Sequence, residues 1–212
     1  MIKNIIFDVG KVLVEVRWQE VMRELGLDEA TVELVANATV CSSTWGEYDR
    51  SKLPYEEMLK NFIMNNPTVE KEIRLFMEHE KEAIREFPYA KEWVKNFRDK
   101  GYKCYVLSNY PKGTFENTRE ERSFEEFLDG AVYSFQVQMV KPEKEIYQML
   151  LKRYNLMPTE SVFIDDNLAN VEMARELGMY AIHFQTKCEA EKELENGEAQ
   201  LTSGYEAYYE NK

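Results

Sequence analysis

The run Ile5-Ile6-Phe7-Asp8-Val9-Gly10-Lys11-Val12-Leu13-Val14-Glu15-Val16 decides the fold. Ile5 to Asp8 reads as a strand, apolar until its last residue, the pattern of a strand buried on both faces in a parallel sheet. Gly10 interrupts it, and Val12-Leu13-Val14 resumes an extended apolar run. In open α/β sheets ligands bind beyond the carboxyl ends of the strands. Asp8, placed at such an end, is therefore a candidate functional group.

Further along the chain, Lys103 to Leu107, Ala131 to Phe135, Val162 to Ile164 and Tyr180 to His183 read as strands. Between them lie helical stretches: Tyr89 to Lys100 ended by Gly101, Glu143 to Tyr154 after Pro142, and Ala169 to Leu177 closed by Gly178. Strands alternating with helices predict an α/β fold with a doubly wound parallel sheet. From about Trp18 to Ile84 the texture is different. Val21, Met22 and Leu25, and again Met58, Leu59, Phe62 and Ile63, fall at helical spacing. Asp28 reads as an N-cap, Pro54 as a first-turn residue, and Glu70 to Ile84 as one more helix, with no strand in the segment. The expected organisation is a core of residues 1–15 and 86–212 with an inserted α-helical cap of residues 16–85.

Polar groups stand where the strands end. Asp8 follows the first, Ser108-Asn109 the second and Asp165-Asp166 the third, while Lys141 precedes Pro142 and a helix. Two adjacent carboxylates repel one another unless a cation compensates. Asp8, Asp165 and Asp166 offer the hard oxygen ligands that Mg²⁺ prefers. That metal and Lys141 would neutralise a phosphate dianion, and Ser108 with nearby backbone N–H groups can donate to its oxygens. Asp8 is then left to attack phosphorus and form an aspartyl-phosphate, with Lys141 keeping it ionised.

These stretches, IIFDVGKVLVEV at 5–16, YVLSNY at 105–110, VKPEKEIY at 140–147 and VFIDDNLANVEMARELGM at 162–179, resemble the haloacid dehalogenase-like hydrolases, in the subgroup with a helical cap after the first strand. The resemblance spans the whole core and implies a Mg²⁺-dependent phosphatase acting on a small phosphorylated metabolite. It makes Asp8 the nucleophile and Ser108 and Asn109 the phosphoryl-binding groups. Lys141 stabilises the phosphoryl group and orients Asp8. Asp165, Asp166 and the carbonyl of Gly10 join Asp8 as metal ligands. Within the family the likeness runs to sugar-phosphate phosphatases of the α-D-glucose-1-phosphate phosphatase type, which begin with an Asp-x-Gly motif.

One position departs from the family. Most of its phosphatases carry an acid two residues after the nucleophile, to protonate the leaving oxygen, and here that residue is Gly10. Such a group contributes about 10²–10⁴-fold in rate. Glu15 is a candidate substitute. Without one, esters of acidic leaving groups, sugar 1-phosphates and aryl phosphates, are the expected substrates. The family's dehalogenases also lack that acid, but they work without metal and carry no paired-acid motif. A non-catalytic phosphate-binding or scaffold member would be expected to have lost Lys141 or the acid pair. In the cap, Trp45, Glu47, Tyr48 and Arg50 form a polar-aromatic cluster suited to stacking on a sugar.

The composition narrows the partners. The 212-residue chain carries 39 Asp and Glu against 27 Lys and Arg, a formal net charge of −12. That balance disfavours nucleic acid and anionic membranes, which are bound through basic surfaces. No window is long and apolar enough for a membrane span, and the apolar start is too short for a signal-peptide core. Cys41, Cys104 and Cys188 form no spaced pair, so neither a zinc site nor a disulfide framework is expected and a reducing, cytoplasmic setting is. The expected state is monomer or homodimer. From Lys187 the chain reads as an acidic, polar tail, with Tyr205, Tyr208 and Tyr209 available to pin it to the core.

Overall fold

The computed structural model describes residues 1–196. β1 (Asn4–Phe7) leads through a tight turn into β2 (Val14–Val16). Five helices follow: α1 (Trp18–Glu24), α2 (Glu29–Ala38), α3 (Thr44–Arg50), α4 (Tyr55–Asn65) and α5 (Glu70–His79). A 3₁₀ turn, Glu80–Ala83, then leads to β3 (Ile84–Glu86). The chain continues with α6 (Ala90–Asp99), β4 (Lys103–Ser108), α7 (Lys112–Asn117), β5 (Gly130–Tyr133) and α8 (Ser134–Val137). It goes on through α9 (Lys144–Tyr154), β6 (Ser161–Asp165), α10 (Leu168–Glu176) and β7 (Tyr180–His183).

The main sheet runs β5-β4-β1-β6-β7 with every pair parallel. The chain builds outward from β1 first to one side and then to the other. The order therefore reverses at β1, and the crevice at such a reversal is where these sheets bind ligands. Alternate strand residues face opposite layers, as the pleat requires. Phe7, Val106 and Ile164 pack with Trp93 and Phe97, while Ile6, Leu107 and Phe163 pack with Ile146, Tyr147 and Val171. The helices of residues 18–83 have a core of their own, including Met22, Val35, Phe62, Ile73 and Phe76. Asp28 caps α2 by accepting from the Thr31 N–H at 2.8 Å.

Three local expectations are corrected. Val12-Leu13-Val14 is not one extended run, because the N–H groups of Val12, Leu13 and Val14 all donate to the Val9 carbonyl in a turn with Lys11 at φ 58°. The helix expected to reach Ile84 stops at His79, and Ile84 starts β3 instead. The reason is tertiary. An inserted unit must leave the core beside the point where it enters, and β3 pairs antiparallel with β2, Val16 opposite Ile84. The strand expected to run to Phe135 ends at Tyr133, where α8 begins.

Residues 187–196 are helical rather than a polar tail, and Ala190 and Leu194 are buried against the core. Tyr205, Tyr208 and Tyr209 lie outside the described residues. No described helix is long and apolar enough to cross a membrane, and all three cysteines are free.

Trp93 is the largest fully buried side chain and touches Phe7, Phe97 and Phe184 edge-on or tilted. Trp93→Ala is expected to cost about 3–5 kcal/mol, the range for emptying a large aromatic site. Urea unfolding followed by far-UV circular dichroism should show this as a lowered midpoint with little change in slope.

Candidate active site

Asp8 directly follows β1, and its backbone N–H donates to the Ile164 carbonyl at 2.9 Å, the last main-chain tie before the turn. The Asp8 carboxylate is oriented through Oδ1, which accepts from the Val9 N–H at 2.7 Å and lies 2.8 Å from Lys141 Nζ. Lys141 also donates to Asp165 Oδ2 at 2.6 Å. Both the lysine and Asp165 are almost wholly enclosed, with side chains 1% and 0% exposed. One ammonium thus bridges two carboxylates inside the protein.

The rest of the cluster is held just as closely. Asp165 Oδ1 accepts from the Asn167 N–H at 2.8 Å, and Asn170 Nδ2 donates to both Asp165 oxygens at 3.0 Å. Asp166 is half-buried, and its charged neighbour is Lys11, 3.3 Å away. One carboxylate oxygen from each of Asp8, Asp165 and Asp166 lies within 4.8 Å of the other two. Gly10 lines the same recess, about 230 Å³ in volume, together with Asp8, Asn109, Lys141 and Asp166.

The electrostatics follow from this crowding. Burial, against the opposing pull of Lys141 and aided by the Asp165 charge, pushes the Asp8 carboxyl up to about 7. Lys141 loses hydration too, but Asp165 and Asp8 more than offset this and hold its ammonium above the usual range. The cluster carries more negative than positive charge in a partly dehydrated site, and burying charge is costly unless it is compensated.

Ser108 ends β4 and is buried. The Asn109 side chain borders the recess, but its hydrogen bonds go to the Lys141 backbone. Its Nδ2 donates to the Lys141 carbonyl at 3.1 Å, and its Oδ1 accepts from the Lys141 N–H at 2.8 Å. Its observed contacts are therefore those of a clamp on the Lys141 backbone. The structure does not bring Glu15 to the site. It is exposed in the middle of β2, between Val14 and Val16, and successive strand residues face opposite ways. Val16 borders the recess and Glu15 does not.

The expected cap cluster divides. Trp45 meets Tyr48 edge-on and Phe62 at a tilt, and also lines a cavity facing the core. Glu47 and Arg50 pair with each other, and Arg50 crosses to Glu143 of the core at 2.8 Å. Sequence reasoning passed over Lys11, Asn167 and Asn170. The Asn residues carried a readable signal, since Asn167 caps α10 and Asn170 lies in its first turn, directly beyond the acid pair.

Residues 19–184 match the family of haloacid dehalogenase-like hydrolases, and the chain belongs to it. Among its relatives is a D-ribitol-5-phosphate phosphatase of Bacteroides thetaiotaomicron, 27% identical over 92% of this chain and 97% of that one. A sesquiterpene phosphatase of Aspergillus oryzae is 26% identical over 86% and 89%. A family enzyme from B. thetaiotaomicron, solved with magnesium and inorganic phosphate, shares the fold with a TM-score of 0.68 at 21% identity, covering 88% of this chain and 96% of that one.

Removing the bridging ammonium should leave two dehydrated carboxylates facing each other. Lys141→Met is expected to destabilise the fold by about 3–5 kcal/mol near pH 8, the cost of breaking a buried pair from one side. Because the Asp8 pKa is raised on folding, the folded state binds more protons than the unfolded one, so stability falls as pH rises. The deficit relative to the parent should therefore shrink at pH 5. Urea titrations of both proteins in chelator at the two pH values check this.

Proposed function

We propose that this protein is a Mg²⁺-dependent phosphatase that hydrolyses a small phosphorylated metabolite through an aspartyl-phosphate on Asp8. The observation that carries the reading is the convergence of Asp8, Asp165 and Asp166 around one point, with Lys141 shared between two of them. Three hard oxygen donors with uncompensated negative charge suit a small divalent cation. Asp8, Asp165, Asp166 and the Gly10 carbonyl would hold it. When bound, Mg²⁺ neutralises charge on the phosphoryl oxygens and on the carboxylates around them.

The chain's own groups supply the remainder. Asp8, oriented by the Val9 N–H and Lys141, attacks phosphorus in line with the ester oxygen. Lys141 offsets charge on the transferring group, and Ser108 with backbone N–H groups at the end of β4 donates to its oxygens. Asn109 is assigned to the phosphoryl site with its side chain acting through Lys141. Water then releases phosphate from Asp8. The division of labour goes with a core of residues 1–15 and 86–212 and a cap of residues 16–85 that closes over the reacting groups.

A sugar phosphate is the proposed substrate class, supported by the ribitol-phosphate phosphatase among the relatives and by the indole rings facing the cavity. The finer likeness to α-D-glucose-1-phosphate phosphatases rests on the Asp8-Val9-Gly10 motif. A screen of phosphorylated metabolites for phosphate release with Mg²⁺ tests the class.

Nitrophenyl phosphate should be hydrolysed with Mg²⁺, and excess chelator should abolish turnover. Asp8→Asn keeps the size and removes the attacking charge, so kcat should drop by roughly 10⁴-fold or more, as for other deleted nucleophiles. Turnover that persists in excess chelator defeats the metal-dependent phosphatase reading, and an Asn variant retaining over roughly a tenth of activity defeats the covalent mechanism.

A further inference from the structure

Cap and core enclose a cavity of about 130 Å³ beside the acid cluster. It shares Gly10, Val16 and Asn109 with the recess that contains Asp8 and Lys141. A phosphate monoester seated in the recess therefore sends its organic part into this cavity. The walls include Trp18, Trp45, Phe76 and Ile84, and two carboxyl groups interrupt them, Asp49 and Glu80.

The two acids are in different states. Glu80 is committed, because its Oε1 accepts from the Tyr48 hydroxyl at 2.9 Å and from Thr114 Oγ1 at 2.7 Å. Asp49 is 7% exposed, and among the described residues none donates a hydrogen bond to its carboxyl. The charges that act on it come from the cap and from the core. Burial and Glu80 act against its ionisation, as does Asp8, while Lys141 and Arg50 favour it, and the balance leaves the carboxyl well above the usual range. Asp49 belongs to the cap, but its place is set by the core. Ser134 Oγ donates to the Asp49 carbonyl at 2.7 Å, Arg50 reaches Glu143, and Ser51 Oγ accepts from the Lys112 N–H at 2.9 Å.

We propose that Asp49 is the general acid and base of this reaction, a proton donor carried by the cap in place of the side chain that Gly10 lacks. The proposal rests on the phosphatase reading above. In the first half-reaction a bond forms between Asp8 Oδ and phosphorus, and the bond from phosphorus to the ester oxygen breaks. The ester oxygen keeps the electron pair and takes the proton of Asp49, so alcohol, aspartyl-phosphate and an Asp49 carboxylate result. In the second, Asp49 accepts a proton from water as the water oxygen bonds to phosphorus, and the bond to Asp8 breaks with its electrons returning to the carboxylate. Both acids are restored and hydrogen phosphate leaves. Protonation at the cap removes the expectation that leaving groups must be acidic.

The test compares kcat/KM across phosphate monoesters from nitrophenyl to simple alkyl, with Mg²⁺ bound, for the parent and Asp49→Asn. kcat/KM reports the steps up to loss of the leaving group. The parent should show a shallow dependence on leaving-group acidity. Asp49→Asn should lose about 10²–10⁴-fold on alkyl esters, the usual worth of a general acid, and only a few-fold on nitrophenyl phosphate, with a burst of nitrophenolate as phosphoenzyme accumulates. Asp49→Glu should recover part of the alkyl-ester rate. So should Gly10→Asp placed in the Asp49→Asn background, since a Cβ at position 10 would meet only Val16 Cγ2, at an ordinary 3.5 Å. An equal loss across the series, or none, overturns the proposal. If Asp49→Asn does not fold, the parent series decides, because a steep slope there shows that no acid acts. A parent protein inert toward nitrophenyl phosphate with Mg²⁺ fails earlier, and overturns the phosphatase reading itself.

Discussion

A single buried ammonium lies between two buried carboxylates. Lys141 is 2.8 Å from Asp8 Oδ1 and 2.6 Å from Asp165 Oδ2, and a third acid, Asp166, completes the cluster. Desolvated ions of this kind persist only when their geometry is fixed and their remaining hydrogen-bonding capacity is met. Much of the surrounding structure meets that demand. Asn109 grips the Lys141 backbone from both sides, Asn170 spans both oxygens of Asp165, and the Val9 N–H fixes Asp8. These groups come from different strand ends and loops, so the cluster forms only when the sheet is assembled in the right order. Stability and chemistry are therefore linked at one point. The charge imbalance that makes the site costly to bury is also what makes it receptive to a cation.

The sheet supplies the position and the cap supplies the enclosure. β1 is central, with parallel neighbours on each side, so the residue after it opens into the crevice where the strand order reverses. The cap brings its own apolar core and meets the site with mixed chemistry, indole rings beside two acids. Glu80 is tied by Tyr48 and by Thr114 of α7, which joins the 3₁₀ exit of the cap to the core at the cavity wall.

Much of the core was legible because it rests on one-dimensional patterns. Uninterrupted apolar runs marked buried strands, and the acids and hydroxyl that end them fell at one edge, as parallel connectivity requires. What escaped the reading depends on pairing across the chain. β3 has only three residues and gains its strand character from β2, about seventy positions earlier. The turn at 10–13 looked extended because Val12 and Leu13 are buried, while the N–H groups of Val12, Leu13 and Val14 converge on one carbonyl. Glu15 drew attention through nearness in sequence, yet the pleat turns it outward. Asp49 sits between Tyr48 and Arg50 in an ordinary polar helix, and no periodicity marks it as the buried acid of the cavity. The phosphoryl-binding role of Asn109 came from the family resemblance alone, and its partnership with Lys141 needs a fold to be seen.

The entry and exit of the cap run side by side as the β2–β3 ribbon, with Arg17 N–H also donating to the Ala83 carbonyl. Two antiparallel strands paired edge to edge resist shear more than bending across their width, so the ribbon has the form of a door hinge. Opposite that hinge the closure is a row of polar catches, Arg50 with Glu143, Ser51 with the Lys112 N–H, and Ser134 with the Asp49 carbonyl. Water can replace such bonds at a net cost of about 0.5–1.5 kcal/mol each, whereas prising apart a large apolar seam has no such substitute. The door is latched by contacts that solvent can pick, so admitting substrate and releasing product need not disturb either hydrophobic core.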